Sequence, residues 1–218
     1  MIVLNAGPLW FQGYDIAFNM VFAIITLLIA ILSYKARNLT EDKKYAAFGT
    51  AFLLMSVSYL IFIFFALLFN TSTFINLLNI FDFVFFIHML LMLLAYTLLI
   101  IVILKIKDRK IIALLLILML LFVLFSFQYF IKFHIISFFL LAFLTYQFFK
   151  NHEDKKTTNT KLVFVSFFLL TGSHILFAAI QYSHALYIAG EVLQLLGFIL
   201  LFLMFIKVVL HGRTKRKA

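Results

Sequence analysis

A chain of 218 residues that is 66% hydrophobic and only 12% charged cannot fold as a soluble domain, because too few polar residues remain to cover its surface. With 31 Phe, one Pro and no Cys, it offers no disulfide framework and no thiolate metal site. Its net charge of +10 does not point to nucleic acid: Lys and Arg gather between apolar stretches, with no aromatic-interleaved basic groove.

The first 14 residues carry no positive segment, and the apolar run behind them is long enough to span. The first helix therefore reads as a retained span rather than a cleaved signal. A spanning helix needs about 20 apolar residues, and seven are predicted: 15–35, 45–69, 76–104, 111–127, 130–149, 162–184 and 186–208. Trp10, Phe11 and Tyr14 before the first suit an aromatic belt. Lys35, Arg37, Lys43 and Lys44 follow it. After the second comes Asn70-Thr71-Ser72, a glycosylation acceptor pattern close to the membrane and common by chance. Lys105, Lys107, Arg109 and Lys110 follow the third. Ser126, Gln128 and Lys132 mark the turn between the fourth and fifth. Lys150, Lys155, Lys156 and Lys161 separate the fifth from the sixth, and Lys207, Arg213, Lys215, Arg216 and Lys217 close the chain.

Seven spans with the N-terminus outside and the C-terminus inside put all four basic clusters on the cytoplasmic side, as the positive-inside rule requires. The expectation is an all-α integral protein of a cytoplasmic-type membrane. Its partners are the lipid bilayer and a cytoplasmic or membrane protein, with loops of at most about a dozen residues.

The chain also resembles itself. "SYKARNLTEDKK" (Ser33–Lys44) aligns with "TYQFFKNHEDKK" (Thr145–Lys156), and, three residues of slippage later, "AFLLMSVSYLIF" aligns with "SFFLLTGSHILF". Ser56, Ser58 and Tyr59 then meet Thr171, Ser173 and His174. His88–Tyr96 resembles Glu191–Phe198 more weakly. The predicted organisation is a single membrane domain over 1–218: repeat one at 15–105, a linker helix at 111–127, repeat two at 130–210 and a basic tail at 211–218. This is a parallel 3+1+3 arrangement, and such repeats place sites at their interface.

Asn19, Tyr59, His88, His134, His174 and Glu191 lie 13 to 17 residues from the basic cluster at the end of their helix, about 20–25 Å at 1.5 Å per residue. Ionisable groups at such depth face a bundle interior and mark function. The six form the candidate site, an outward-facing polar layer above an apolar cytoplasmic plug. Glu191 leads, because a buried carboxylate must be neutralised or partnered. The bland reading makes His88 and His174 interhelical hydrogen-bond glue and His134 an interfacial residue. Three His and a Glu suit zinc or copper, but no HxxxH spacing occurs. Facing His could hold haem, and a proton-coupled carboxylate with His partners fits equally. No enzyme motif appears.

The stretch "SYKARNLTEDKKYAAFGTAFLLMSVSYL", with "GEVLQLLGFILL" in helix seven, resembles uncharacterised prokaryotic seven-helix proteins similar to the membrane sensor regions of histidine kinases. The resemblance implies sensing by analogy. The leading expectation is a receptor-like sensor binding a small ligand, ion or proton. The alternatives are a small-solute or ion transporter and a haem- or metal-binding redox protein.

Overall fold

The computed structural model describes residues 11, 13–71, 78–126 and 130–217, with backbone alone at 68–71, 78–82, 126 and 212–217. Trp10, Ser72 and Gln128 lie outside them. Seven helices carry the described chain: α1 (Tyr14–Thr40), α2 (Lys43–Thr71), α3 (Leu78–Ile103), α4 (Arg109–Ser126), α5 (Phe130–Lys155), α6 (Thr158–Ala178) and α7 (Ala185–Lys217). No strand occurs among the described residues. Six of the seven, all but α4, are long and apolar enough to cross a membrane. Helices suit such a chain because each satisfies its own backbone where no water can.

The helices run further than their apolar segments. Only Glu41 and Asp42 separate α1 from α2, and only Lys156 and Thr157 separate α5 from α6. Loops of about a dozen residues are therefore not found at these turns. The basic clusters sit at helix ends and turns past the apolar body; of their residues Arg37 and Lys155 lie in last turns, where they complement the C-terminal dipole. No Gly or Pro interrupts "KARNLTEDKK". The chain turns at left-handed residues instead, with Glu41 at φ 58° and Lys156 at φ 48°. The Glu41 N–H donates to the Arg37 carbonyl at 2.7 Å and the Lys156 N–H to that of His152 at 2.7 Å. Thr157 then opens α6 in a reciprocal capping box with Thr160.

Two boundaries differ from expectation. α6 stops at Ala178 rather than 184. Residues 179–182 close turns on themselves, and the Ser183 hydroxyl accepts the Ala185 N–H at 3.3 Å, which starts α7 there. Lys132 belongs to the first turn of α5, with its ammonium 4.4 Å from the Phe125 ring centroid. Phe11 is not a lipid-facing belt residue: it is 5% exposed and packs edge-on against Tyr187 at 6.1 Å. Tyr14, 60% exposed, does suit a belt.

Neighbours in sequence pack together within α1–α2–α3 and within α5–α6–α7. Contacts of α1 with α7 and of α3 with α5 close the six helices into a ring. α4 rests against α3 and α5 and exposes Leu114, Leu121 and Phe125. The buried positions of α1 recur in α5 at a spacing of 115 residues: Asn19 with His134, Phe22 with Ser137, Thr26 with Leu141, Ile29 with Leu144, Ala30 with Thr145 and Ser33 with Phe148. The spacing of 115 also relates Glu41 to Lys156, and Ser56, Ser58 and Tyr59 to Thr171, Ser173 and His174, all buried. It carries the close packing of Gly49 on Tyr34 to the ring pair Phe164–Phe149.

The α2–α6 alignment thus keeps the expected places. The Ser33–Lys44 alignment, spaced by 112, is three residues out of burial register. Glu41 ends α1, whereas Glu153 lies inside the last turn of α5. The tetrapeptide EDKK recurs, but at different places in the two turns.

α6 and α7 pack tightly at Gly197. A Cβ there would sit 2.9 Å from Leu170 Cγ and 3.0 Å from the Ser166 carbonyl oxygen. Gly197→Ala is expected to destabilise the protein by about 1–3 kcal/mol, the usual cost of overpacking, through separation of α6 from α7. A thermal-unfolding midpoint unchanged in nanodiscs would refute the close contact.

Candidate functional site

All six sequence candidates line one cavity of about 70 Å³ inside the ring. α1 brings Asn19, α2 Tyr59, α3 His88, α5 His134, α6 His174 and α7 Glu191. His134 is 7% exposed and belongs to the interior, not to an interface. The sequence reading missed Gln194 and Tyr187, which also line the cavity. Gln194 was findable: it lies three residues from Glu191, on the same helix face.

The polar groups are connected in a definite order. Ser58 Oγ lies 3.0 Å from the His88 carbonyl oxygen and 2.8 Å from His88 Nδ1. Ser58 has one hydroxyl proton. If it goes to the carbonyl, Nδ1–H must donate to Ser58 Oγ, and the short approach of Nδ1 to the Ser58 carbonyl at 3.4 Å agrees. Nε2 of His88 is then the ring's acceptor. A second chain runs from the Tyr96 hydroxyl to His174 Nε2 at 3.3 Å and from His174 Nδ1 to His134 Nδ1 at 2.9 Å. Either direction of donation satisfies it, so the tautomer of one ring fixes that of the other. The Gln194 amide donates to the Tyr59 hydroxyl.

Other polar residues of the predicted layer are structural. Ser173 Oγ donates to the Leu170 carbonyl at 2.8 Å. Thr171 Oγ1 donates to the Phe167 carbonyl at 2.7 Å and pairs with Thr145 Oγ1 at 2.8 Å. Ser56 Oγ reaches across to the Ala23 carbonyl at 2.8 Å. Asp15 Oδ1 accepts the N–H groups of Gly13 and Ile16 at the start of α1. Asn19 Nδ2 donates to the Asp15 carbonyl at 2.8 Å.

Two atoms at the cavity stand apart. His134 Nε2 and Glu191 Oε2 are buried and make no hydrogen bond among the described residues. An unmatched buried polar atom costs about 1–3 kcal/mol, and more if charged. The cavity is wide enough for a few waters or a small ion, at about 10–15 Å³ per water. It is well below the about 300–1,000 Å³ of an organic-ligand pocket. His174 has both ring nitrogens engaged, and no group of three His, Asp or Glu gathers in metal-binding geometry among the described residues. The haem and metal readings gain no support from this geometry.

Aromatic rings bound the cavity at both ends. At the end away from the basic clusters Phe177 packs on Tyr187 at 5.6 Å, and Phe11 on Tyr187 at 6.1 Å. At the other, Phe198 contacts Phe22 at 5.7 Å and Tyr59 at 6.3 Å. Fully buried Phe52, Leu99 and Leu201 extend this septum. Beyond it, at the basic end, lies a second cavity of about 560 Å³ bounded by Phe48, Phe148 and Phe205. Along α3 (Met92 to Val102) and α7 (Gln194 to Met204) ten residues separate the two linings, so this apolar barrier spans about 15 Å. Each residue there is as apolar as predicted, but hydropathy does not reveal whether helix ends splay.

The chain matches no protein-family model. No curated protein and no solved structure is significantly similar to it.

Proposed function

We propose that the chain crosses the membrane seven times, with α4 as a further span, its N-terminus outside and its C-terminus and basic end cytoplasmic. The convergence of Lys44, Lys105 and Lys150 on one cavity supports that orientation. Helices α1–α3 and α5–α7 are parallel repeats on this reading, supported by the burial spacing of 115 residues.

On that frame the protein is a receptor-like membrane sensor that takes a proton or a small ion, with water, into the small polar cavity. The observation that carries this is the pair of buried, unpartnered atoms Glu191 Oε2 and His134 Nε2 on a polar void. A carboxyl and an imidazole, each with an unpartnered buried atom, bind a proton or cation because, among the described residues, Tyr187 alone hydrogen-bonds the carboxyl and no Lys or Arg lies in the lining. Asn19, Tyr59 and His88 come from one three-helix half, and His134, His174 and Glu191 from the other. Occupancy therefore biases the fit of the two halves, and the basic end passes the change to a partner. The resemblance to kinase sensor regions agrees in kind.

The test is thermal unfolding in zwitterionic nanodiscs across the neutral pH range and with added alkali or divalent cations. A species that binds only the folded state stabilises it by mass action, about 2.7 kcal/mol at a hundred times its Kd. A response to protons or to one cation class is expected. Indifference to all of them would overturn the proposal.

The basic-end cavity favours a second reading, transport, since both cavities lie inside the same ring. Proton or cation flux in proteoliposomes that Glu191→Gln abolishes would select transport. Stabilisation without flux would select sensing.

A further inference from the structure

The basic-end cavity has the volume of a small-molecule site, about 560 Å³. Its floor is apolar and aromatic: Phe48 packs on Phe148 at 6.3 Å and on Phe205 at 6.4 Å, and Tyr45 stands edge-on to Phe205 at 6.3 Å. Its rim is basic. Lys44 is held by Asp42 at 3.5 Å, and Lys150 lies over the Tyr146 ring at 4.9 Å. Lys105, which follows α3 at φ 54°, and Lys155, the last residue of α5, line the same cavity. Neither makes an ion pair among the described residues. The amides of Gln147, Asn151 and Asn159 line it too and make no hydrogen bond among the described residues. The positive-inside rule explains lysines at this end. It does not explain their convergence, with three uncommitted amides, on an open cavity with an aromatic floor.

We propose that this cavity binds a phosphate-bearing molecule with a flat or apolar body. Lys105 and Lys155 hold the phosphate, and the amides of α5 and α6 complete its shell. The apolar body lies on Phe48, Phe148 and Phe205. The donors come from three separate segments, the turn after α3, α5 and α6, and several donors around one site suit the oxygens of a phosphate. Lysine serves phosphate as a compact point charge. A soluble aryl or nucleoside phosphate and the headgroup of an anionic phospholipid share this chemistry.

Phenyl phosphate separates these sources. In nanodiscs of phosphatidylcholine alone it is expected to raise the thermal midpoint of the wild type. The Lys105→Ala/Lys155→Ala variant should bind it at least about tenfold more weakly, as loss of one charge-assisted hydrogen bond would produce. Lys35→Ala, at an exposed α1 position outside the cavity lining, should bind as the wild type does. If phenyl phosphate has no effect but added phosphatidylglycerol stabilises, and only the double variant loses that gain, the occupant is a lipid headgroup. Should the double variant not fold, the wild type must still prefer phenyl phosphate over phenol and inorganic phosphate, or phosphatidylglycerol over phosphatidylcholine. Equal responses within both pairs, no response at all, or an equal loss in Lys35→Ala would overturn the proposal.

Discussion

Glu191→Gln is expected to raise the thermal midpoint in nanodiscs by a few degrees at alkaline pH and to remove its dependence on pH. The carboxyl is 4% exposed and sits on a void with no Lys or Arg in its lining. Protonated, it needs hydrogen bonds only. Ionised, it needs a cation, because desolvating a charge costs far more than desolvating an amide. Raising the pH therefore strains the wild type, while Gln keeps the size and hydrogen-bonding capacity of the acid without its charge. A gain of about 1–2 kcal/mol, the scale of an unpaired buried polar group, corresponds to roughly 2–8 °C for a chain of this size. Glu191→Ala should instead lower the midpoint, since it removes contacts as well as charge. If Gln destabilises as much as Ala and the pH response persists, the carboxyl is a packing element and the sensing proposal falls with it.

The candidate site was legible because burial in lipid is selective. Few polar residues occur in these helices, each is costly unless it faces inward, and counting along a helix gives depth. Asn19, Tyr59, His88, His134, His174 and Glu191 were therefore sortable into one layer without coordinates, and the cavity contains all six. Partnership was not legible. Nothing in "TGSHILF" distinguishes Ser173, bonded to its own helix, from His174, bonded across the bundle to Tyr96 and His134. Register was legible only where side chains are constrained. The Ser-aromatic pairs of α2 and α6 sit in the interior and align true. The EDKK tetrapeptides sit at helix ends, outside the packed interior, and they align three residues away from the burial pattern. The basic-end cavity was invisible for a related reason: the direction in which helix ends splay depends on neighbours distant in sequence.

Phe198→Ala is expected to extend the small void toward the basic end, to weaken the barrier between the two cavities and to make the protein leak. The ring is 1% exposed and stands against Phe22 and Tyr59, between the small polar void and the basic end. Truncating a buried Phe costs about 3–5 kcal/mol in water-soluble cores. The lower end applies here, because the unfolded reference for a membrane helix is lipid and only the packing part is lost. The functional effect should exceed the structural one. With the barrier thinned, water from the basic end has a shorter path to Glu191, His134 and the Tyr96–His174 chain, and a proton leak should appear in proteoliposomes whose wild type is tight. Phe198→Leu, which keeps most of the volume, should stay tight at a cost below about 1.5 kcal/mol. Glu191→Gln added to Phe198→Ala should reduce the leak if protons pass by way of the carboxyl. A Phe198→Ala protein that is destabilised but still proton-tight would mean that Phe52, Leu99 and Leu201 seal the ring without it. The barrier would then be a layer several residues deep, and the two cavities would be independent sites.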